Sequence, residues 1–180
     1  SEKIVKVICA GHRSSYFITN NYGVYACGYN GHGQLGNGNT SQQNTPVKIM
    51  QDHKVSKVVS GYNHVLFFTL YNEVYASGYN GNYQLGDNTN TNRSTPVKVF
   101  DNYDIIDINC GKNNSFFITS HHELYGVGQN DNGEFGDGTT SQKNSPIRLL
   151  EQYNDIIIVF ANGNSDHTFF ARGNYKNKFE

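Results

Sequence analysis

The sequence predicts an all-β protein built from repeated units of four short antiparallel strands, and three observations support this prediction. One residue pattern occurs three times at a spacing of 50 residues, which marks an internal repeat. No segment shows the apolar periodicity of a helix, whereas several are β-branched or alternate between apolar and polar residues. All three prolines (Pro46, Pro96 and Pro146) fall at one position of the repeat, so the backbone geometry is repeated as well.

The strands of one unit can be read from its first copy. The β-branched stretch Lys3–Ile8 predicts the first strand, which we expect to end at Gly11, a residue able to adopt positive φ. Ser15–Thr19 and Val24–Gly28 predict a hairpin of the second and third strands. A long loop then leads to the proline, which we expect to start a fourth strand at Val47–Met50. Four such strands per unit are typical of a β-propeller blade.

The loop between the third and fourth strands keeps its residues in every copy. We expect the apolar residue before its glycine to fold back over its own blade as a plug, and the asparagine at its entrance to close an Asx turn or adopt a left-handed conformation. These structural positions are Gly28, Asn30, Leu35, Gly36, Gly78, Asn80, Leu85, Gly86, Gly128, Asn130, Phe135 and Gly136. The sequence therefore predicts one propeller segment, 1–180, with repeats at 4–53, 54–103 and 104–153 and a partial repeat at 154–180.

The charge balance and hydropathy exclude several classes of partner. The chain has 14 basic and 15 acidic residues and a net charge of -1, without the basic stripe that binds nucleic acid. No apolar run approaches the roughly 20 residues that span a bilayer, and the chain starts without a charged-then-apolar leader. We therefore expect an intracellular protein, cytoplasmic or nuclear, that contacts neither nucleic acid nor membrane.

Candidate chemical sites in the sequence have simpler explanations. Cys9, Cys27 and Cys110 lack metal-ligand spacing, and we expect them to be buried reduced thiols. The glycine pattern at Gly31–Gly36 lacks the helix that a dinucleotide site needs. Asp131–Glu134 resembles part of a calcium loop, but the sister repeats have mostly neutral residues there. No serine or cysteine has a neighbouring base and orienting group. We predict no catalytic residues, no metal site and no cofactor.

The repeat also has a family signature. Each copy carries a tyrosine three residues before the third-strand glycine, an asparagine two residues after it, a Q-L-G or E-F-G motif, and the proline. This pattern resembles the repeat of the regulator of chromosome condensation family over essentially the whole chain. Two departures are that Cys27, Ser77 and Val127 stand where the family usually has tryptophan, and that the usual first-loop histidine survives only as His64. The resemblance implies a seven-bladed propeller.

The number of repeats predicts an incomplete ring. Three units plus two further strands, Asp155–Phe160 and His167–Ala171, make about three and a half blades, and the tail 172–180 is expected to begin a third strand. An open arc would expose apolar blade faces, which soluble proteins avoid. We therefore expect completion by further blades or another chain. A longer chain or a split propeller is favoured over a homodimeric ring, because two copies would break the strand order.

The loops between the first and second strands vary while the frame repeats, and loops on a rigid frame commonly carry binding. Tyr62 is the strongest contact candidate, since tyrosine is favoured at interfaces. The predicted protein-binding residues are His12, Arg13, Tyr62, Asn63, His64, Lys112, Asn113, Asn114 and Asp166. We predict a non-catalytic protein-interaction module. The alternative, implied by the resemblance, is guanine-nucleotide exchange on a Ran-type small GTPase. In that mechanism, as the resemblance implies, an inserted wedge helps the propeller to displace the nucleotide. The strict 50-residue spacing of the three repeats leaves no room for such an insertion.

Overall fold

The structure, a computed structural model, describes residues 5–161 and 167–173. The described residues form fourteen β-strands and no helix, and therefore no helix long and apolar enough to cross a membrane. The strands are β1 (Val5–Ala10), β2 (Ser14–Thr19), β3 (Val24–Gly28), β4 (Gln43–Ile49), β5 (Val55–Ser60), β6 (His64–Thr69), β7 (Val74–Gly78), β8 (Arg93–Val99), β9 (Ile105–Cys110), β10 (Asn114–Thr119), β11 (Leu124–Gly128), β12 (Lys143–Leu149), β13 (Ile156–Ala161) and β14 (Thr168–Arg172).

Consecutive strands pair into separate antiparallel sheets. Strands β1–β4, β5–β8 and β9–β12 form three four-stranded sheets in chain order, which we call blades 1, 2 and 3, and β13 pairs with β14 as a half-blade. This confirms the predicted fold class, an all-β propeller segment of about three and a half blades. The predicted start of a further strand in the tail lies outside the described residues from 174 onward.

The fourth strand of each blade begins earlier than predicted. In blade 1 it starts at Gln43 rather than at Val47, because a register shift between Ala26 and Gly28 lets Gly28 pair with Gln43. The proline therefore lies inside the strand. It is tolerated there because β4 is the outer edge of its sheet, where a missing N–H leaves no ladder hydrogen bond unmade. The predicted last residue, Met50, leaves the strand with a φ of 50°.

The glycines that follow the first strands serve a different purpose from the one predicted. Gly11, Gly61 and Gly111 do not have positive φ. Instead, a Cβ atom at Gly61 would overlap the imidazole of His64, and one at Gly111 would overlap the side-chain amide of Asn114. Glycine is required because another side chain occupies the space that its own would fill.

Apolar packing between successive blades forms the core. One face of each blade joins the opposite face of the next in a buried cluster, so the molecule has three such clusters in its described part. The predicted plugs belong to them: Leu35, Leu85 and Phe135 are fully buried, and the Phe135 ring meets that of Phe116 of the same blade at 5.6 Å. The contact of Phe135 agrees with the prediction that it folds back over its own blade. For Leu35 and Leu85 the burial is observed and the own-blade placement stays a prediction.

The loop asparagines are buried hydrogen-bonding centres, so the prediction of Asx turns or left-handed backbone was wrong. Asn80 does not have positive φ. Its Nδ2 donates to the carbonyl oxygens of Thr89 and Thr91 at 2.8 and 3.2 Å, and its Oδ1 accepts from the Leu85 N–H at 3.0 Å. Asn30 and Asn130 make the equivalent bonds. One side chain thus closes the loop and fixes the plug.

The first and last blade faces are open within the described residues. Ile8 is 66% exposed, whereas its sister residues at the same repeat position, Val58 and Ile108, are 4% and 1% exposed. At the other end Phe169 is 70% exposed, although its sister residue Phe116 is fully buried. Each exposed residue occupies a position that a neighbouring blade covers elsewhere in the arc.

The burial of the cysteines also depends on whether a neighbouring blade covers the face that carries them. Cys110 is buried, but Cys27 and Cys9 are only half-buried. The prediction of burial was wrong for Cys27 because the blade face that carries it has no preceding blade among the described residues. Its sister residues Ser77 and Val127 lie at blade junctions and are buried.

Replacing Asn80 with aspartate should destabilise the fold. A carboxylate cannot donate to the carbonyls of Thr89 and Thr91, and it would face the Asp87 carboxylate that now lies 2.9 Å from Asn80 Nδ2. We expect Asn80→Asp to lower the free energy of unfolding by on the order of 3 kcal/mol, measured by urea denaturation. Asn88→Asp, at an exposed position of the same loop, is the control. Equal unfolding midpoints for the two variants would contradict the assigned role of Asn80.

Candidate protein-interaction face

The loops that join the first and second strands lie side by side at one end of the blades. The Tyr62 N–H donates to the Lys112 carbonyl at 3.0 Å, which ties the loop of blade 2 to that of blade 3. The His12 ring stacks on the Tyr62 ring with centroids 3.9 Å apart and planes 16° apart, which ties blade 1 to blade 2. The structure therefore brings His12, Tyr62 and Lys112 together on one surface.

A second row of rings extends this surface. The Tyr29 N–H donates to the Arg13 carbonyl at 2.8 Å, which places Tyr29 at the same end of the blade as the first loop. The His32 ring lies between those of Tyr29 and Tyr79, at 6.0 and 5.1 Å, and the Arg13 guanidinium lies 6.0 Å from the Tyr29 ring. We call the surface formed by loops 11–13, 61–63 and 111–113 together with these rings the loop face.

The loop face changes character from blade 1 to blade 3. Where blades 1 and 2 have Tyr29 and Tyr79, blade 3 has Gln129, which accepts a hydrogen bond from Asn113 Nδ2 at 2.7 Å. The Gln129 amide in turn donates to Asp131 at 2.7 Å. Asn63 lies between the two regions, with its Oδ1 3.5 Å from Gln34 Nε2. The face thus has an aromatic and basic side over blades 1 and 2 and a polar side over blade 3.

Two predicted contact residues do not reach this surface. His64 and Asn114 are buried, because β6 and β10 begin one residue earlier than predicted and include them. They cannot contact a partner directly. A third predicted residue, Asp166, lies outside the described residues.

His64 instead joins blades 2 and 3. The Ser115 hydroxyl donates to the Gln84 carbonyl at 2.6 Å, so it must accept at its oxygen from His64 Nε2, 3.0 Å away. The proton of the neutral imidazole therefore resides on Nε2. Burial lowers the pKa of His64 to about 4, with a smaller opposing contribution from the Asn114 backbone.

The equivalent junction between blades 1 and 2 uses different residues for the same purpose. There the Tyr16 hydroxyl donates to the Gln34 carbonyl at 2.8 Å. Tyr16 is the sister of Leu66, and Val65 is the sister of Ser115. The Gln34 carbonyl therefore accepts from Tyr16 of its own blade and, at 3.3 Å, from Ser77 of the next blade. The Gln84 carbonyl accepts from Ser115 of the next blade. In both, a buried loop carbonyl is paired, which avoids the cost of an unsatisfied acceptor.

Sequence reasoning missed the rings of Tyr29, His32 and Tyr79. The available signal was their position just after the third strand, at the same end of the blade as the first loop, combined with variation between repeats. Within the described residues, no three His, Cys, Asp or Glu side chains converge as metal ligands would. The arrangement offers aromatic faces, hydrogen-bonding groups and positive charge to a macromolecular surface.

Comparison with known families identifies two similar repeat models. Residues 23–68 and 71–118 match the regulator of chromosome condensation (RCC1) repeat, and residues 105–134 match a second model with the same description.

Several solved structures have the same fold. The chain is similar to human WBSCR16 (19% identity, TM-score 0.76, covering 88% of this chain and 43% of that one). It is similar to Prp20p from Saccharomyces cerevisiae (18% identity, TM-score 0.78, covering 88% and 42%) and to yeast RCC1 (Prp20) bound to Kap60 (18% identity, TM-score 0.81, covering 96% and 43%). The chain therefore spans about two fifths of the length of these structures.

Acid should destabilise the fold through His64. Its pKa is about 4 in the folded protein against an ordinary value of 6.5, so the unfolded chain binds more protons between these values. The contribution of neutral His64 is therefore fully present above about pH 6.5 and is lost as the pH falls toward 4, amounting to on the order of 3 kcal/mol. Urea denaturation at several pH values between about 4 and 6.5 measures this change in the free energy of unfolding.

The control for this prediction uses sister residues. His64→Asn, which installs the residue found at Asn114, should flatten the dependence of stability on pH between about 4 and 6.5. His121→Asn, at an exposed turn, should leave it unchanged. An unchanged pH profile in His64→Asn would show that other groups cause the acid sensitivity.

Proposed function

Because the chain belongs to the regulator of chromosome condensation (RCC1) repeat family, we propose that it is part of a larger propeller that binds another protein through its loop face, without catalysis. The observation that carries this proposal is the aromatic and basic side of that face. Tyr62, Tyr29 and Tyr79 are partly exposed there beside Arg13. Tyrosine and arginine are, with tryptophan, the side chains that most often dominate binding energy at protein interfaces.

The frame behind the loop face supports this proposal. The loops are held by backbone hydrogen bonds from one blade to the next, such as that of Tyr62 to Lys112, and by the ring stack of His12 on Tyr62. A surface that is already ordered loses little conformational entropy on binding, which favours affinity. The predicted contacts Asn63 and Asn113 would contribute hydrogen bonds around the rings.

The open blade faces support a larger assembly. Ile8 and Phe169 occupy positions that a neighbouring blade buries elsewhere, and the chain spans about two fifths of the matched structures. We propose that further units, in the same longer chain or in another one, cover both faces and continue the predicted repeats 4–53, 54–103, 104–153 and 154–180. The free thiols of the described cysteines fit an intracellular location.

A second candidate function is guanine-nucleotide exchange on a Ran-type small GTPase. The observation that favours it is the similarity to Prp20p, whose structure was determined together with its binding properties to Gsp1p and histones. Yeast RCC1 (Prp20) is also known bound to Kap60. A protein partner is common to these cases. Against exchange, blades 1 to 3 follow one another without an insertion between them.

Exchange activity can be tested directly. We expect no acceleration when this chain is added to Ran loaded with a fluorescent guanine nucleotide and nucleotide release is followed over time. Full-length Prp20p serves as the comparison. Release that is accelerated in proportion to the concentration of this chain would favour exchange over simple binding.

Binding through the loop face can be tested with residues that the repeat itself provides. The double variant Tyr62→Lys, Tyr79→Gln carries the residues of blade 3 and should fold normally. We expect it to retain less than about a tenth of the partner bound by the unchanged protein, because interface tyrosines often contribute 2 kcal/mol or more. Each protein is used to capture binding partners, and quantitative mass spectrometry compares the amounts captured by the variant and by the unchanged protein.

The control for this capture experiment is Tyr22→Asn, which installs the sister residue Asn72 in a hairpin turn at the opposite end of the blades. It should capture the same proteins in the same amounts as the unchanged protein. If the loop-face variant also captures them undiminished, the loop face is not the binding surface.

A further inference from the structure

A cleft of about 280 Å³ lies at the end of blade 2 opposite the loop face. It is formed by the turn between β6 and β7 and by the connection from β8 to β9. We call it the rim cleft, and its principal lining residues are Tyr71, Glu73, Lys98, Asp101, Tyr103 and Asp104.

Exposed apolar side chains surround the rim cleft. Leu70, Tyr71 and Tyr103 are 44%, 73% and 43% exposed. The sister residues of Leu70 and Tyr71 are polar in both other blades: Asn20, Asn21, Ser120 and His121. The fold therefore does not require apolar residues in this turn, and their concentration at one blade indicates a contact surface.

The charge of the rim cleft is negative. Lys98 Nζ lies between Glu73 Oε1 at 3.1 Å and Asp101 Oδ1 at 2.6 Å, so one ammonium group serves two carboxylates. Asp104 is exposed and forms no ion pair with any other described residue. Among the residues that line the cleft, three carboxylates thus face a single cation, and the cleft is complementary to a positively charged group.

A sister cleft in blade 1 has the same backbone and a different chemistry. It has a volume of about 230 Å³ and is lined by Asn21, Lys48, Gln51, His53 and Lys54 at the positions of Tyr71, Lys98, Asp101, Tyr103 and Asp104. Asp52 is its one carboxylate. Because the two clefts differ in side chains alone, the rings and carboxylates of the rim cleft are specific to blade 2.

The half-blade shows what the tyrosine and aspartate of the rim cleft can bind. Tyr153 and Asp155 are the sister residues of Tyr103 and Asp104, as their matching backbone hydrogen bonds indicate. There the Arg172 guanidinium lies 3.8 Å from the centroid of the Tyr153 ring, and its Nε donates to Asp155 Oδ1 at 2.7 Å. The protein's own arginine fills this pair of groups in the half-blade.

Blade 3, which carries the equivalent strand position beside the rim cleft, has no such arginine. The strand pairing places Thr119 at the position of Arg172, since Thr119 pairs with Ile105 as Arg172 pairs with Ile156. Thr119 is buried and its side chain accepts a hydrogen bond from the N–H of Glu123. Among the described residues, therefore, no arginine of this chain reaches Tyr103 and Asp104.

We propose that the rim cleft binds an arginine side chain from a basic, partly apolar segment of a protein partner. The guanidinium lies over the exposed part of the Tyr103 ring, which also contacts the rings of Phe100 and Tyr125, and donates to the Asp104 carboxylate. The analogy is Arg172 with Tyr153 and Asp155, a pair that one residue separates. An apolar neighbour of that arginine packs on Leu70 and Tyr71. This surface is separate from the loop face, so the proposal does not depend on the proposed function.

The test uses a short, capped, fluorescently labelled peptide of alternating arginine and leucine, and a matched peptide with glutamate in place of arginine. Each is titrated with the protein and followed by fluorescence anisotropy. The arginine peptide is expected to bind and the glutamate peptide is not. Equal binding of the two peptides would overturn the proposal.

Single substitutions test where the arginine peptide binds. Asp104→Lys installs the sister residue Lys54 at an exposed position and is expected to weaken binding about fivefold or more. Tyr71→Asn, which installs Asn21, should weaken it about threefold because it removes apolar contact area. The control Asp131→Lys makes the same charge change on the loop face and should leave the affinity unchanged. Equal weakening by Asp104→Lys and Asp131→Lys would reveal general charge attraction and overturn the proposal.

A further variant separates this surface from the loop face. The double variant Tyr62→Lys, Tyr79→Gln is expected to bind the arginine peptide as the unchanged protein does. Loss of peptide binding in this variant would place the site on the loop face and overturn the assignment to the rim cleft.

Discussion

Apolar contact between successive blades is the constraint on which the structure depends. Each blade is a single sheet, so it can bury its strands only against a neighbour on either side. Strand β6 illustrates this, because Phe67 packs into the cluster shared with blade 1, while Leu66 packs into the cluster shared with blade 3. The same alternation fixes which side chains remain available at the blade ends. Binding surfaces can therefore vary at the loops without disturbing the packing that holds them in place.

The features of the fold that recur in every repeat could be predicted from the sequence. Strand order, the hairpins and the buried plugs are periodic, and each copy shows them again. The plug Leu35, for example, could be predicted because Leu85 and Phe135 stand at the same position beside the same glycine. The prediction of separate four-stranded sheets depended on this periodicity more than on the propensity of any one segment.

Features that depend on contacts between distant residues could not be predicted in this way. Gly61 could have been needed for a left-handed backbone or because another side chain lies against it. The second reason applies, since the His64 ring occupies this space, and the sequence pattern did not place His64 inside the strand. The bonds of Asn80 reach residues nine and eleven positions away, beyond any local turn motif. The row of Tyr29, His32 and Tyr79 forms only when two blades meet, so no single repeat reveals it.

The two polar junctions between blades have a consequence for evolution and design. Blade 1 supplies its own hydroxyl through Tyr16 and faces Val65, whereas blade 2 has Leu66 and takes a hydroxyl from Ser115. Tandem duplication of blade 2 alone would place Val65 where Ser115 now stands and leave the buried Nε2 of His64 without this acceptor. The units share one residue pattern but are not interchangeable, and a designer who permutes them must exchange these residues in matched pairs.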